Sequence, residues 1–406
     1  MERLASIRRR KSMLILHIIT DLSTGGAELM LERLVVHQSR EEGYRHHVIS
    51  LRTLGQVGPR LQAAGIEVEV MGMNGFAGLA LGFVRLVRRI RQLSPDVVQT
   101  WMYHADLIGG VAARLAGNRA VLWGVRISDI SLEIGIARST MMARRMCVPL
   151  SRKVPRRILY VAESARKAHE ALGYDPAKSV VVPNGYSVPP AEAVAAARRR
   201  IRDELGLGEE SVLIGSAGRF SPQKGYSGFV AAAGEIARRV PEASFLILGR
   251  EITWDNEELA GWIREAGLAD RFHLVGEQRN VLDWLAALDI FALYSLSEGF
   301  PNVVAEAMSA CVPCIVTDVG DAALLVSDLG LVIRSGDLKG LTDGLERLIR
   351  AGEDERRRLG EAGRRRVEAT YSLSVVAERY ARLYDELVAE GPAPAAGARQ
   401  QVIGVR

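Results

Sequence analysis

The sequence predicts an α/β protein built from two doubly wound parallel sheets that face a central cleft. Short apolar runs alternate with segments of helical periodicity along almost the whole chain. This alternation is typical of parallel sheets that are covered by helices on both faces. The 406 residues are too many for one ordinary core. A Pro- and Gly-rich stretch near residues 183–200 interrupts the alternation and therefore predicts two domains.

Twelve apolar runs are predicted strands. Six precede the interruption: MLILHII, HHVISL, IEVEVM, DVVQTW, AVLWGV and RILYVA. Six follow it: SVLIGSAG, SFLILG, RFHLVG, DIFALYS, PCIVTDV and GLVIRS. We predict a first domain at 13–185, completed by a C-terminal helix at 373–389, and a second domain at 186–372. The Pro- and Ala-rich residues 390–406 are predicted to form a disordered tail.

The composition excludes several classes of protein. Apolar residues make up 48% and charged residues 25%, an ordinary globular mixture. The three cysteines, Cys147, Cys311 and Cys314, are too few for a disulfide scaffold and favour a reducing compartment. Each apolar run is shorter than the ~18 residues of a membrane-spanning helix. The basic start MERLASIRRRKS is followed by a short run that favours a first strand over a signal peptide. We therefore expect a cytoplasmic protein.

Positive charge is concentrated in the first half of the chain. Residues 1–184 contain 27 Lys and Arg against 15 Asp and Glu, whereas the remainder contains 26 against 33. The predicted helix LGFVRLVRRIRQL has an apolar face flanked by arginines. The face consists of Phe83, Val84, Val87 and Ile90, and the arginines are Arg85, Arg88, Arg89 and Arg91.

A basic amphipathic helix can lie in the interface of an anionic membrane. We therefore predict peripheral attachment to the inner face of the cytoplasmic membrane. The alternative is that this apolar face packs on the sheet and leaves the arginines in water. No nucleic-acid partner is expected.

The most specific motif follows the strand DIFALYS and reads Ser297-Glu298-Gly299-Phe300-Pro301-Asn302-Val303-Val304-Ala305-Glu306. Pro301 fits the first turn of a helix. The N–H groups from Gly299 to Val303 would then lie at a helix N-terminus, where anions bind. Carboxylates such as Glu298 and Glu306 accept hydrogen bonds from sugar and ribose hydroxyls. Either carboxylate alone fits a surface position, but the pair around Gly-Phe-Pro predicts a ligand site.

A second motif follows the strand SVLIGSA and reads Gly218-Arg219-Phe220-Ser221-Pro222-Gln223-Lys224-Gly225. Arg219 and Lys224 can converge on a diphosphate. The spacing is neither that of a P-loop nor that of a dinucleotide fingerprint. Two solvated cations are the alternative. The position at the carboxyl end of a strand, where parallel sheets bind ligands, favours the anion site.

A third motif, Thr24-Gly25-Gly26-Ala27-Glu28, follows the first strand. Its glycines permit either the close approach of a ligand or simply a tight strand-to-helix turn.

Together these motifs resemble glycosyltransferase family 4, a group of retaining GT-B enzymes, over nearly all of residues 13–390. The resemblance implies a fold of two Rossmann-like domains. It implies that a sugar passes from a UDP- or GDP-sugar to a lipid-linked or polysaccharide acceptor, in the biosynthesis of cell-surface polysaccharide or glycolipid. Arg219, Lys224 and Glu298 would be the catalytic residues, with the cations on the diphosphate and Glu298 on the donor sugar. Glu306 would contact the ribose.

The resemblance also implies a wider set of donor-binding residues. They are Gly25 and Gly26 in the glycine loop, Gly276, Gln278 and Arg279 beside the nucleobase, and Gly299, Phe300, Pro301, Asn302 and Val303 at the helix start. Pro183-Asn184-Gly185 resembles the junction between the family's two domains.

The chain departs from the family pattern at two places. Arg126 stands where many members have a histidine near the donor sugar, and Gly320-Asp321-Ala322-Ala323-Leu324 replaces a Gly-Gly-x-x-Glu sequence. Both departures are interpreted as substrate tuning, with Arg126 a candidate sugar or acceptor contact. His104, at the carboxyl end of a strand, is either a second such contact or a structural histidine.

The sequence gives no indication of a metal site or a cofactor. It contains no His, Cys and carboxylate cluster at metal-ligand spacing and no Asp-x-Asp motif, so we expect metal-independent transfer. Cys311-Val312-Pro313-Cys314 has redox spacing but joins a helix to a strand, which favours buried apolar packing. Two alternatives stay open: another GT-B activity such as a nucleotide-sugar epimerase, and a non-catalytic partner subunit. The presence of Arg219, Lys224 and Glu298 argues against the latter.

Overall fold

The chain folds into two parallel sheets with helices on their faces, which confirms the predicted fold class. The computed structural model describes residues 12–41, 43–126 and 138–390. The pairings between neighbouring strands of each sheet are parallel. Among the described residues, no helix combines the length and the apolar character needed to cross a membrane.

The first sheet is formed by the first half of the chain. Its strands are β1 (Met13–Ile19), β2 (Tyr44–Ser50), β3 (Glu67–Val70), β4 (Val97–Trp101), β5 (Val121–Val125), β6 (Arg157–Tyr160) and β7 (Ser179–Val181). The helices among them are α1 (Gly26–Gln38), α2 (Val57–Ala63), α3 (Gly75–Leu93), α4 (Tyr103–Leu115), α5 (Arg138–Ser151) and α6 (Glu163–Ala171). The strand order is β3-β2-β1-β4-β5-β6-β7. The order changes direction between β1 and β4, which is where a doubly wound sheet opens a crevice.

The second sheet repeats this plan. Its strands are β8 (Val212–Ala217), β9 (Ala243–Leu248), β10 (Phe272–Leu274), β11 (Ile290–Leu293), β12 (Cys314–Thr317) and β13 (Leu331–Ile333), in the order β10-β9-β8-β11-β12-β13. Its helices are α7 (Ala191–Glu204), α8 (Tyr226–Arg239), α9 (Glu257–Glu265), α10 (Val281–Ala286), α11 (Asn302–Ser309), α12 (Ala322–Val326), α13 (Leu338–Arg350) and α14 (Gly352–Tyr371). The crevice here lies between β8 and β11.

The last helix, α15 (Leu373–Ala389), returns to the first sheet. Its buried face includes Val376, Tyr380 and Tyr384, which pack with residues of β1, β4 and α1 in one core. The Tyr384 hydroxyl also donates a hydrogen bond to Gln99 of β4. Helix α15 and the first sheet, which are far apart in sequence, therefore share one core. The domain boundaries given above remain a prediction.

Three local details differ from the expectations. Strand β7 was not among the predicted strands, because its run is short and partly exposed. Helix α11 begins at Asn302, so Pro301 precedes the helix instead of lying in its first turn. Glu390, which was placed in the tail, is the C-cap of α15 and pairs with Arg156 and Arg157. The rest of the predicted tail, 391–406, lies outside the described residues.

Helix α3 uses its apolar face inside the protein, as in the alternative interpretation. Ile90 is buried in the first core, and Phe83 and Val87 pack against it, whereas Val84 is exposed. Arg89 donates hydrogen bonds to Glu69, and Arg91 donates one to the Leu115 carbonyl, which lies at the end of α4. Arg85 and Arg88 are exposed.

A chain of buried imidazoles crosses β1 and β2. His17 Nε2 lies 3.0 Å from His46 Nδ1, and the Trp101 indole donates a hydrogen bond to His17 Nδ1. This arrangement requires neutral rings, because His17 accepts from Trp101 on one nitrogen and donates to His46 from the other. Burial lowers the pKa of His46 to about 4. Burial and the two neighbouring histidines hold the pKa of His17 well below its usual value.

We predict that the buried histidines destabilise the fold as pH falls below about 6.5. A histidine whose folded pKa is depressed contributes stability above its unfolded pKa of about 6.5, and that stability is lost as pH falls toward the folded value. Burial likewise lowers the pKa of His169 to about 4. Each such histidine should therefore lower the free energy of unfolding in urea by about 1–3 kcal/mol between about pH 6.5 and pH 4. Asp106, whose pKa is raised to about 7 by burial, contributes in the opposite direction, so the contribution of one histidine is measured by comparing the wild type with a variant.

The His46→Gln substitution should flatten part of this pH dependence. The matched substitution His37→Gln, at a half-exposed position of α1, should leave the slope unchanged. A pH slope in the His46→Gln variant equal to that of the wild type would contradict the prediction.

Candidate functional site

A cavity of about 270 Å³ lies where the carboxyl ends of the two sheets meet. Residues from both halves of the chain line it: Gly25, Gly26, Ala27, Glu28, Met102, Arg126, Val161, Asn184, Phe300 and Asn302. The cavity therefore brings together five of the predicted site residues, namely Gly25, Gly26, Arg126, Phe300 and Asn302. Its position matches the crevice in which open parallel sheets bind ligands.

The two strongest motifs meet through an ion pair. Lys224 Nζ lies 2.6 Å from Glu298 Oε1, and the Ser295 hydroxyl donates to the same oxygen over 2.6 Å. The contact forms because β8 and β11 are neighbouring strands, so the loops after them lie side by side. Gly225, with φ +62°, lets the Lys224 loop approach closely, since a Cβ there would lie 2.3 Å from the Tyr294 carbonyl oxygen.

Other residues predicted to bind the donor lie at the carboxyl ends of the strands of the second sheet, but they do not line the cavity. Arg219 is exposed just after β8. Gly276, Gln278 and Arg279 follow β10, at the far end of the sheet. Gln278 donates a hydrogen bond to the Val275 carbonyl, which holds this loop in a compact turn.

Glu306 faces the first half of the molecule. Its carboxylate lies 3.6 Å from the guanidinium of Arg33 on α1. Burial raises the pKa of Glu306, and the nearby Arg33 opposes that rise. Sequence reasoning missed Arg33, although its place on the helix that directly follows the glycine loop was an available signal.

Arg126 is held in the wall of the cavity by three partners. Its Nη1 donates to Asn184 Oδ1 over 2.7 Å, its Nη2 donates to the Tyr380 hydroxyl, and the guanidinium lies 4.5 Å from the centre of the Trp101 ring. Asn184 in turn donates to Asn302 Oδ1 over 2.7 Å. Arg126 therefore connects β5, the junction after β7, and the start of α11.

The Gly320-Asp321 departure has a structural role. Asp321 accepts hydrogen bonds from the backbone N–H groups of Glu163 (2.6 Å) and Ser164 (2.9 Å), and thereby caps α6 of the other half. Its own N–H donates to the Gly299 carbonyl over 2.8 Å. Asp321 thus links Gly299 to helix α6 of the first half through its backbone and its side chain, a contact that only the fold reveals.

Of the two ionisable side chains Glu28 and His104, only Glu28 lines the cavity. Glu28, in the first turn of α1, lines the cavity, and burial raises its pKa. Sequence reasoning gave it no role. His104 lies in the first turn of α4 but is not among the lining residues. Its pKa is lowered by partial burial and by the charge of Arg52.

Asp106, in the first turn of α4, lies beside the end of β5. It is fully buried, accepts hydrogen bonds from the Thr100 hydroxyl and the Gly124 N–H, and has its pKa raised to about 7 by that burial. Over the described ranges, no group of three or more His, Cys, Asp or Glu side chains is placed to hold a metal ion. Cys147, Cys311 and Cys314 are free thiols, and Cys147 and Cys314 are buried.

Two helix-covered parallel sheets that face a cleft define the GT-B fold class. Residues 24–188 match the family described as Glycosyltransferase Family 4, and residues 197–366 match the family described as Glycosyl transferases group 1. These two matches cover most of the two sheets. The chain belongs to glycosyltransferase family 4.

Individual relatives share part of the chain. The lipopolysaccharide core biosynthesis mannosyltransferase LpsB of Rhizobium meliloti is 33% identical over 195 residues, which are 45% of this chain and 54% of that protein. An Escherichia coli UDP-Gal:alpha-D-GlcNAc-diphosphoundecaprenol alpha-1,3-galactosyltransferase is 27% identical over 273 residues, 65% of this chain and 69% of that protein. The chain thus spans about half of the first relative's length and about two thirds of the second's.

Solved structures share the whole fold. Anabaena HepE in complex with UDP superimposes with a TM-score of 0.79 at 20% identity, covering 92% of this chain and all of that one. The same protein with UDP-glucose gives a TM-score of 0.76 at 19% identity, with the same coverage. At this level of identity the likeness establishes the fold.

We predict that Gly320→Ala destabilises the protein by about 2–3 kcal/mol, because a non-Gly residue at positive φ is strained and must also clear a neighbour. Gly320 has φ +57°, and a Cβ would lie 2.2 Å from the Gly299 carbonyl oxygen. The matched Gly336→Ala, at φ +76° with nothing within 4 Å, should cost only about 1 kcal/mol. Urea unfolding of both variants checks the difference, and equal losses would contradict the contact.

Proposed function

We propose that the chain transfers a sugar, with retention of anomeric configuration, from a nucleotide-diphosphate sugar to a saccharide or lipid-linked acceptor. The ion pair between Lys224 and Glu298 is the observation that carries the proposal. It joins at 2.6 Å the two kinds of group that a nucleotide sugar needs, a cation for the diphosphate and a carboxylate for sugar hydroxyls. Both side chains are largely buried at the mouth of the cleft.

The chemistry follows from where charge develops. Cleavage of the bond between the anomeric carbon and the phosphate oxygen leaves negative charge on the diphosphate. Lys224, Arg219 and the backbone N–H groups at the start of α11 would stabilise that charge. The anomeric carbon gains positive character, and attack by the acceptor hydroxyl on the same face would give retention. The leaving phosphate can take the hydroxyl proton, so no metal and no cofactor is required.

Binding of the nucleoside involves the other end of the cleft. Glu306, at the far end of the motif, would accept hydrogen bonds from the ribose, with Arg33 beside it to keep the carboxylate charged. Gly276, Gln278 and Arg279 would form the nucleobase site on the edge of the second sheet. Two of the structures that share the fold contain UDP or UDP-glucose, so UDP-sugars are the donors to test first.

The acceptor proposal rests on the relatives. One is named for lipopolysaccharide core synthesis, and another for transfer to a sugar on diphosphoundecaprenol. We therefore assign the chain to the biosynthesis of cell-surface polysaccharide or glycolipid. Such acceptors lie at a membrane, which makes a membrane-facing surface a further part of the proposal.

We predict that Lys224→Ala and Arg219→Ala each lower kcat/KM by about 100-fold or more, the scale for loss of one preorganised group at developing charge. A panel of nucleotide sugars and oligosaccharide acceptors, assayed with excess EDTA, measures this effect. NMR of the product reports the anomeric configuration. Arg264→Ala, at an exposed cation on α9, is the matched control and should keep wild-type turnover.

Three outcomes would contradict this scheme. Near-wild-type turnover in both the Lys224→Ala and the Arg219→Ala variants would contradict the proposal that these cations bind the diphosphate. Donor conversion without any acceptor would point to an epimerase. Activity lost in EDTA and restored by Mn²⁺ or Mg²⁺ would replace the protein cations with a metal.

The membrane surface that fits best is formed by α3 and α5. These helices flank α4 on one face of the first sheet and share one core. Their outer sides expose Leu81 (70%), Val84 (47%), Met142 (64%) and Met146 (46%). Arg85 and Arg88 lie beside the α3 residues and would contact anionic lipid.

We predict that the protein pellets with phosphatidylglycerol vesicles at low salt, is released at high salt and ignores phosphatidylcholine vesicles. Leu81→Asn with Val84→Asn should reduce pelleting because the variant loses apolar surface that enters the interface. The matched pair Leu324→Asn on α12 and Val332→Asn on β13, at exposed apolar residues of the second half, should not. Wild-type protein that stays in the supernatant would rule out the attachment.

A further inference from the structure

A second cavity of about 270 Å³ lies at the opposite edge of the first sheet from the cleft. It is found at the amino ends of the strands, since Arg157 opens β6 and Lys178 directly precedes β7. None of its lining residues lines the cleft cavity. Its volume is many times the roughly 30 Å³ that one water molecule occupies. The proposed transfer reaction gives this cavity no role.

The lining is strongly basic. It includes six cations, Arg114, Arg119, Lys153, Arg156, Arg157 and Lys178, and one carboxylate, that of Glu390. These residues come from the ends of α4, α5 and α15 and from the starts of β6 and β7. They are therefore gathered by the fold and are not one run of charge on a helix face.

The simplest explanation for such a cluster is compensation of helix C-termini. Three helices, α4, α5 and α15, end here, and Lys178 Nζ donates to the Ser151 and Arg152 carbonyls at the end of α5. A helix C-terminus carries only about half a negative charge, so three supply roughly 1.5. Glu390 and Asp175, which lies 4.0 Å from Lys178, add two carboxylates. Within the described residues, however, these carboxylates pair with Arg156, Arg157 and Lys178 and not with Arg114 or Lys153.

The pocket already holds one oxyanion from the protein itself. The Glu390 carboxylate is bound between two arginines, with Oε2 3.1 Å from Arg156 Nε and Oε1 paired with Arg157. Two arginines around one carboxylate form the same arrangement that binds phosphate groups. Glu390 is the C-cap of α15, so this carboxylate is delivered by the end of a helix.

The positive charges in the pocket also repel one another. Burial lowers the pKa of Arg114, and the charges of Arg119 and Arg156 lower it further. Burial also lowers the pKa of Lys178, with Arg114 and Arg157 adding to the effect while Asp175 opposes it. A bound anion with more than one negative charge would relieve this repulsion.

We propose that this basic pocket is a second anion site, which binds a phosphate-bearing ligand such as a diphosphate or the phosphate of a lipid headgroup. The proposal does not rest on the transfer reaction, because the pocket and the cleft lie at opposite edges of the sheet. A ligand there would contact the ends of α4, α5 and α15 together. It would therefore also hold α15 against the first sheet.

Isothermal titration calorimetry with inorganic pyrophosphate tests the site. The full chain carrying Arg219→Ala and Lys224→Ala is the background, so that pyrophosphate bound by these two cations in the cleft does not contribute to the signal. Adding Arg114→Gln and Lys153→Gln, both at exposed positions, should weaken binding by about tenfold or more, since charge-assisted contacts are lost. The matched pair Arg40→Gln and Arg45→Gln, exposed at the same end of the sheet but outside the pocket, should change binding less than twofold.

Glu390→Gln gives an effect of opposite sign. Removal of the competing carboxylate should tighten pyrophosphate binding severalfold while circular dichroism stays unchanged. Weaker binding in this variant would overturn the pocket as an oxyanion site.

Vesicles of phosphatidylcholine with about one fifth phosphatidic acid distinguish the sources of the phosphate. Pelleting that depends on Arg114 and Lys153 assigns the site to a lipid headgroup. Binding of pyrophosphate alone that depends on them assigns it to a soluble anion. If neither ligand responds to these two substitutions, the pocket is only a basic surface and the proposal is wrong.

Discussion

The side chain of Asn302 connects the parts of this molecule that form the cleft. Its Oδ1 accepts hydrogen bonds from Asn184 and from the Tyr186 hydroxyl, where the chain leaves the first sheet for the second. Arg126 holds Asn184 from the other side. Because these groups are largely buried, each unmade hydrogen bond would cost free energy, so the relay fixes the start of α11 relative to the first sheet.

Two further contacts across the cleft also hold the two halves of the chain together. The Arg33–Glu306 pair and the Asp321 cap on α6 both join the second half of the chain, around the Glu298–Glu306 motif, to the first half. A motif continuous in sequence therefore depends on residues of the other sheet for its geometry.

The first half of the chain carries its positive charge in separate places. One part, Arg85 and Arg88, lies beside exposed apolar side chains on the helical face. Another part is gathered in the pocket at the amino ends of the strands. A net charge for half the chain could not distinguish these surfaces. Under the two proposals made above, this separation would let the chain contact a membrane and a phosphate group with different residues.

The sequence by itself determined the two sheets, the positions of the major strands along the chain and the motifs after β8 and β11. It could do so because apolar runs and Gly-Pro turns are local signals that report backbone conformation. The pairing of Lys224 with Glu298 followed once two neighbouring strands were placed side by side. Strand β7 is short and half-exposed, so the local signal there was too weak.

Only the tertiary structure decided which distant residues meet. Arg33 and Tyr380 were given no role from the sequence, and Asp321 was interpreted as part of a departure that tunes the substrate. Each contacts a residue more than 100 positions away in sequence. The basic pocket likewise combines residues from Arg114 to Glu390. Such contacts depend on how helices pack on the sheets, and packing is set by the whole core and not by any single segment of sequence.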